Sequence, residues 1–484
     1  MTERDILYRA DGYLTVFLSL SLTVILGFYF VLMEGAALNS GQFQTEIITD
    51  IAAGSALGEY NRELLSQYDL FFIDTSYGSF TPDLSNTQKH IEEYLEKNLT
   101  PTGVIGVNNI RNFVGLDIEE VTVDSARYST QLNGAPVKEQ IYAYFSADPL
   151  EEGFDEVLAM ADNFQGFSLE SGEWQERRDA CEQALSEAEP VTVINDEGEE
   201  ETAEIENPAA PVLSFRATPV LNQVIRDYGG ISAAAALSNR LSERGVILHE
   251  TVSPENTHEY PEADALMLDE YIMEKCGRYG STKEGSHLSY EVEYIIAGED
   301  SDRKNLETIA RRLLIIREAA NCIHIFSDEG KTSQAKAIAS VLACCLLNPE
   351  LVDIITPVIL FGWAYVESVK DVSSLLAGGK VPLIKDASSW KTPITCILAP
   401  SLYTSADTGG SGMSYADYLR IFLYMNGMSG KTLRLFDIIE MDIRETDGNS
   451  FFQMDQCLDA FRLQVKTSDR YGHEHEAKIS ASYN

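Results

Sequence analysis

From Gly12 to Met33 the chain reads GYLTVFLSLSLTVILGFYFVLM, a run with no charge and no Pro, and with only small hydroxyls among its apolar side chains. No face of such a helix is polar, so the pattern calls for apolar surroundings on every side. About 20 residues rising ~1.5 Å each match a hydrocarbon core ~30 Å thick, and the run predicts a membrane-spanning helix. Past it, Ile48, Ala52, Ala56, Tyr60 and Leu64 recur every fourth residue, with Glu46, Asp50, Glu59 and Arg62 elsewhere around the wheel. The spacing predicts the same helix continuing outward to about Gln67 with one face buried.

Leu70-Phe71-Phe72-Ile73 predicts a short buried strand, and Asn86 to Leu99 a helix with Ile91, Tyr94 and Leu95 on one side. Leu116-Asp117-Ile118 and Val121-Thr122-Val123-Asp124 alternate apolar with polar, the phase slipping at Glu119-Glu120 as a bulge would make it. Helical spacing resumes between Val137 and Ala188, with a break expected at Asp148-Pro149 because a residue before Pro is pushed out of the helical region. The basic-free run from Asp196 to Glu206, ahead of Pro208 and Pro211, predicts a solvated connection.

In the second half, Leu268, Ile272 and Cys276 align on a helix from Glu262 to Cys276, and Leu288, Tyr290, Val292, Tyr294 and Ile296 share one face of an expected strand. Gly298 to Ser301 turns the chain, and Ser301 or Asp302 can cap a helix that buries Ile309, Leu313, Ile316 and Ala320. Helices are expected at Ser333–Leu347, Glu350–Leu376, Ser414–Met425 and Leu433–Ile443, then a closing strand from Phe451 to Val465. Ile354 to Val366 is apolar but bounded by Asp353 and Glu367 and short of a span, so a core helix is expected there. Strands and helices mix without a regular βαβ repeat, so the expected class is α+β, an N-terminal transmembrane helix continuing into a large mixed extracytoplasmic domain. The expected divisions are a cytoplasmic leader at 1–11, the span at 12–33, a first α+β portion at 34–148, a connecting region at 149–211 and a second α+β portion at 212–484.

Charge changes the picture by exclusion. With 76 Asp and Glu against 36 Lys and Arg, the formal charge of −40 leaves no basic stripe to neutralise phosphates, which removes nucleic acid as a partner. Orientation follows the basic residues instead: Arg4 and Arg9 precede the span and none follows until Arg62, which predicts a short end inside and the bulk of the chain outside the cytoplasm. The apolar run is longer than that of a removable signal peptide, so a retained anchor is expected, although the small residues after Glu34 offer a cleavage point. Seven cysteines, scattered and without a CxxC, make no disulfide framework or zinc site; Cys322, Cys344 and Cys345 read as small buried hydrophobes.

The segments EYNRELLSQYDLFFIDTSYG from Glu59 to Gly78, the opening GYLTVFLSLSL, and SYEVEYIIAGEDSDRKNLETIARRLLIIREAAN from Ser289 to Asn321 resemble a bacterial domain-of-unknown-function family, number 5702. That family looks allied to the TadE and TadG pseudopilin-like proteins of tight-adherence pilus systems. The resemblance implies an accessory or pseudopilin-like component of a pilus or secretion apparatus, with platform proteins as partners beside the membrane lipid. The competing reading is a membrane-tethered module that binds a cell-wall or extracellular ligand. By the pilin analogy, Gly12 ends a leader, Tyr13 becomes the first residue, and the fifth position, where pilins carry Glu, is Phe17. A carboxylate is costly in lipid without a partner, so Phe17 implies an anchor that need not assemble in a filament.

No pattern for catalysis, cofactor or metal emerges, and no enzyme is expected. Gly430-Lys431-Thr432 and Gly330-Lys331-Thr332 imitate the end of a P-loop, but Met425 and Ile325 stand where its first Gly belongs. His473-Glu474-His475-Glu476 is not HExxH and reads as a solvated tail, and His324 in its apolar stretch reads as a core histidine.

Overall fold

The computed structural model describes residues 3–78, 81–99, 112, 114–146, 164, 171–188, 191–194, 200–203, 205–244, 262–346 and 348–483. In chain order the first elements are α1 (Glu3–Leu57), α2 (Arg62–Tyr68), β1 (Ile73–Asp74), α3 (Leu84–Leu99), β2 (Asp117–Tyr128), α4 (Gln131–Ser146) and α5 (171–186). A hairpin of β3 (Val191–Ile194) and β4 (Glu200–Ala203) follows, then α6 (Ala210–Arg216), α7 (Val220–Val224), α8 (Leu241–Arg244), α9 (Glu262–Lys275) and α10 (Glu291–Ala297). The remainder is α11 (Asp302–Ser327), α12 (Glu329–Cys345), α13 (Leu351–Leu376), β5 (Lys380–Val381), α14 (Pro400–Tyr403), β6 (Met413–Ser414), α15 (Tyr415–Met425), α16 (Met428–Arg444), β7 (Cys457–Ser468) and β8 (Glu474–Ser482). Helices dominate and the strands are antiparallel, an α+β fold. Two compact units share the chain: one of residues 1–137, 247–257 and 448–484, the other of 138–246 and 258–447.

In the first unit β7 is the centre of an antiparallel sheet, with β2 along one edge and β8 and β1 sharing the other. Phe461, Leu463 and Val465 alternate onto the face covered by Ile48, Ala52, Ala53 and Ala56 of α1 and Ile91 and Leu95 of α3. The slip expected at Glu119-Glu120 is a register shift between Ile118 and Glu120. Asp459, buried on β7, takes Nε of Arg127 at 2.9 Å and its second guanidinium nitrogen at 2.5 Å, a forked pair that cross-links β2 and β7. Three expectations need correction. α1 stops at Leu57, and α2 restarts behind Asn61, whose side chain caps Leu64 N at 3.0 Å, so the helix does not run unbroken to Gln67. Only Ile73 of the run Leu70–Ile73 is extended in a strand. The C-terminal segment is no solvated tail but β8, paired with β7 from Ser468↔Glu474 to Ala460↔Ser482.

In the second unit α13 is the central helix, with α11 and α12 packed on it and most of its length buried. Ile354 to Val366 is therefore a core helix, as its flanking acids imply. Ile309, Leu313, Ile316 and Ala320 of α11 are all buried. Leu288 to Ile296 is not a strand: Glu291–Ala297 form α10, and Glu291 and Glu293 are as buried as the apolar residues between them, so the alternation that imitates a strand face is not one of inside and outside. Ser301 stands at the N-cap of α11 without a side-chain capping bond, while the Asp302 carboxylate accepts Ser289 N at 2.9 Å, Tyr290 N at 3.1 Å and Ser232 Oγ at 2.6 Å. Cys322 is buried, but Cys344 and Cys345 are exposed at the end of α12, a further correction. The described part of the acidic run, Glu200–Ala203, pairs with Val191–Ile194 rather than staying unpaired; Asp196 to Glu199 and the break at Asp148-Pro149 lie outside the described residues.

Candidate functional site

α1 has two halves with different surroundings. From Tyr13 to Met33 its large side chains are exposed, Tyr13 by 77%, Phe17 by 67% and Phe28 by 66%. Two hydroxyls within the run are satisfied internally, Ser19 Oγ donating to Val16 O at 2.9 Å and Thr23 Oγ1 to Ser19 O at 2.7 Å. A helix that meets its backbone hydrogen bonds internally and exposes mostly apolar surface is one that hydrocarbon can surround. It is long and apolar enough to cross a membrane. The helix runs unbroken through Gly12, Tyr13 and Phe17.

From Gly41 onward one face is packed. Thr45, Ile48, Thr49, Ala52, Ala53 and Ala56 are buried, while Phe43, Ile47 and Ile51 stay exposed on the other side. Polar contacts fix the depth of the helix on the sheet: Thr45 Oγ1 lies 2.7 Å from Thr467 Oγ1, and Gln42 Nε2 donates to Glu476 O at 2.9 Å. At the far end Tyr483 Oη donates to Leu57 O at 2.6 Å, satisfying a carbonyl the helix terminus leaves free.

The residues expected to form a tail meet the helix at its closest approach. A Cβ on Gly41 would sit 2.3 Å from Nε2 of the buried His475, so only a residue without a side chain admits that ring. His473 Nδ1 lies 2.9 Å from Asp469 Oδ2, and His475 Nε2 3.7 Å from the same oxygen. Burial raises the Asp469 carboxyl, but hydrogen bonds from the His473 backbone and ring and the Tyr471 amide outweigh it and bring it down to about 2. Gly41→Ala is therefore expected to lower the stability of the first unit by about 1–3 kcal/mol, the usual range for overpacking. Thermal unfolding measures it, and His475→Ala added to Gly41→Ala should restore part of the loss; equal and additive effects would show that the two residues do not meet.

The remaining sequence candidates are structural. Gly430 and Lys431 lie inside α16, not in a loop after a strand, and Lys431 Nζ meets the buried Asp269 Oδ1 at 2.5 Å. Lys331 Nζ pairs with Asp328 at 2.7 Å at the start of α12. His324 is mostly buried, its ring 5.5 Å from that of Trp390, and burial together with the Lys331 charge holds its pKa below the usual value. Among the described residues no three His, Cys, Asp or Glu converge as metal ligands. Periodicity does not reveal the docking face around Gly41 and His475, because the inward side of β8 opens on the polar His475 and the small Ala477 before it reaches Ile479; the one local signal is the Gly placed three residues before Gln44 and four before Thr45, the first of the buried face.

No curated protein and no solved structure matches the chain. The profile of a family of unknown function, DUF5702, matches residues 198–469, a stretch that contains Ser289 to Asn321 but neither Glu59 to Gly78 nor the N-terminal helix. With more than half of its length matched, the chain belongs to the DUF5702 family.

Proposed function

We propose that α1 anchors the protein in a membrane by a single pass, with Arg4 and Arg9 on the cytoplasmic side, and that the acidic remainder stands outside the cytoplasm as an accessory, pseudopilin-like component of a tight-adherence type pilus or secretion apparatus. One observation carries the reading: a single unbroken helix is uncharged and exposed from Tyr13 to Met33 and is then packed by its other half on a sheet. A free signal sequence needs no such continuity with the fold, whereas an anchor that must hold a head at a fixed height gains from it. The net charge supports the outward position, since an acidic surface is repelled by anionic lipid heads and only the helix attaches. No bond-making step enters this reading.

The test is the full chain with a C-terminal tag in intact cells. Recovery in the membrane fraction after alkaline wash, release by detergent, and loss of the tag to external protease are the expected results. A soluble protein after gentle lysis, or a tag cut only in opened cells, overturns the anchor. Pull-down with pilus platform proteins tests the assembly role, and no enrichment over an unrelated anchored domain overturns that part alone.

A further inference from the structure

In the second unit a cavity of about 160 Å³ opens between the end of α13, strand β5, the segment after it and the glycine-rich loop that leads into β6. Four lysines line it, Lys370, Lys380, Lys385 and Lys391, in a chain whose formal charge is −40. Their commitments differ. Lys385 is buried and bound to Glu367 and to Asp371 Oδ1 at 2.6 Å. Lys370 Nζ donates to Ser405 O at 2.9 Å and feels the Asp407 charge without pairing directly with it, and Lys391 Nζ lies 3.6 Å from Asp407 Oδ2. The exposed Lys380 ammonium has no acidic partner among the described residues.

Of the two acids in the wall, Asp371 is saturated: Oδ2 takes Arg317 and Asn321, and Oδ1 takes Lys385. Asp407 binds Gly409 N at 3.0 Å through Oδ1, a bond that holds its carboxyl below the ordinary range. The mouth therefore carries three ammonium groups against the single carboxylate of Asp407. A Cβ on Gly410 would fall 1.9 Å from Lys380 O, so this loop crosses β5 with bare backbone; Ser388 and Ser389 give their hydroxyls to Asp386 Oδ1, and Ser411 adds its own to the wall.

We propose that this cavity is a binding site for a phosphate group, with Lys370, Lys380 and Lys391 as the charge-bearing contacts. A planar carboxylate is best met by the fork of an arginine, and among the described residues no arginine lines the cavity; separate ammonium point charges with the Ser411 hydroxyl and glycine backbone suit a tetrahedral oxyanion. The lysines at the mouth hold no buried ion pair of their own, whereas the neutral group of Arg317, Asp371, Lys385 and Glu367 beneath them fixes the floor. The inference stands apart from the membrane reading and survives its failure.

Calorimetric titration of the full chain in detergent with inorganic phosphate and, separately, with glycerol 1-phosphate tests it. Saturable binding is expected, weakened about tenfold by Lys380→Ala, the loss of one charge-assisted contact, and unchanged by Lys304→Ala, whose ammonium pairs with Asp300 at a distant surface. Tighter binding of the ester supports a phosphoester ligand, and tighter binding of the free ion supports inorganic phosphate. No saturable heat with either probe, or equal loss in the two variants, overturns the site.

Discussion

Replacing Arg317 with Met is expected to destabilise the second unit by about 3–5 kcal/mol, the cost of leaving a buried charge without its partner. Arg317 is wholly inaccessible, and each arm of its guanidinium has an acceptor. Nε and one terminal nitrogen reach Asp371 Oδ2 at 3.1 and 3.0 Å, and the other terminal nitrogen reaches Pro382 O at 2.9 Å and Leu383 O at 2.8 Å. Asp371 and Glu367 share Lys385, and Glu367 also accepts Lys391 N at 2.9 Å and Thr392 N at 2.8 Å. The group balances two acids with two bases. Met preserves the apolar stem of Arg317 but leaves one uncompensated carboxylate and two carbonyls without donors, so the deficit is electrostatic rather than a matter of packing. Trp363 and Trp390, 5.8 Å apart and both donating to Thr392 O, report on this region by fluorescence during urea unfolding. A loss under about 1 kcal/mol would mean that water reaches the group, which is the ordinary worth of an exposed pair.

The local elements were legible wherever an apolar face alternates with solvent. The charge-free run, the stripe Ile309, Leu313, Ile316 and Ala320, and the phase slip at Glu119-Glu120 all signal their own geometry because inside and outside differ there. Reading fails where that difference vanishes. Glu291 and Glu293 are polar yet buried, so α10 shows the period of a strand; β8 opens its inward face on His475 and continues it with Ala477, Ile479 and Ala481, of which the last two are only partly buried, so its apolar face is short. Cys344 and Cys345 stand in an apolar run whose outer side meets solvent. The pairing of β7 with β2 joins segments far apart in the chain, and strand periodicity names a face, not a partner. The floor of the lysine cavity had a faint signal: Arg317 stands four residues after Leu313 and three before Ala320, a charge on the buried stripe, which demands a buried counter-charge. Sequence alone does not say that the counter-charge is Asp371.

Raising the pH from 5 to 8 is expected to destabilise the second unit, with Glu293, Glu291 and Asp269 contributing and Glu293→Gln removing one share of the dependence. Burial drives the Glu293 carboxyl from 4.5 to about 7, against the partial relief of hydrogen bonds from Tyr279 N and Tyr415 Oη. Burial also lifts Glu291, and the neighbouring Asp442 adds to the rise. The sign follows from proton counts: below about 4.5 folded and unfolded chains both hold the proton and the stabilisation is complete; between 4.5 and 7 only the folded chain holds it, so stability drains away as the pH rises through the folded value. For Glu293 the span corresponds to about 3 kcal/mol. Gln fits the site because both donors converge on one oxygen, Tyr279 N at 2.9 Å and Tyr415 Oη at 2.7 Å from Oε1, while Oε2 is buried without a partner and an amide nitrogen can take its place. His324, whose pKa burial lowers, acts with the opposite sign over part of the same window, so the readable quantity is the difference between the two proteins at each pH. Urea unfolding at pH 5, 6, 7 and 8 should show Glu293→Gln gaining on the wild type up to about pH 7 and levelling off by pH 8; parallel curves throughout would mean that Glu293 is already ionised in the folded chain.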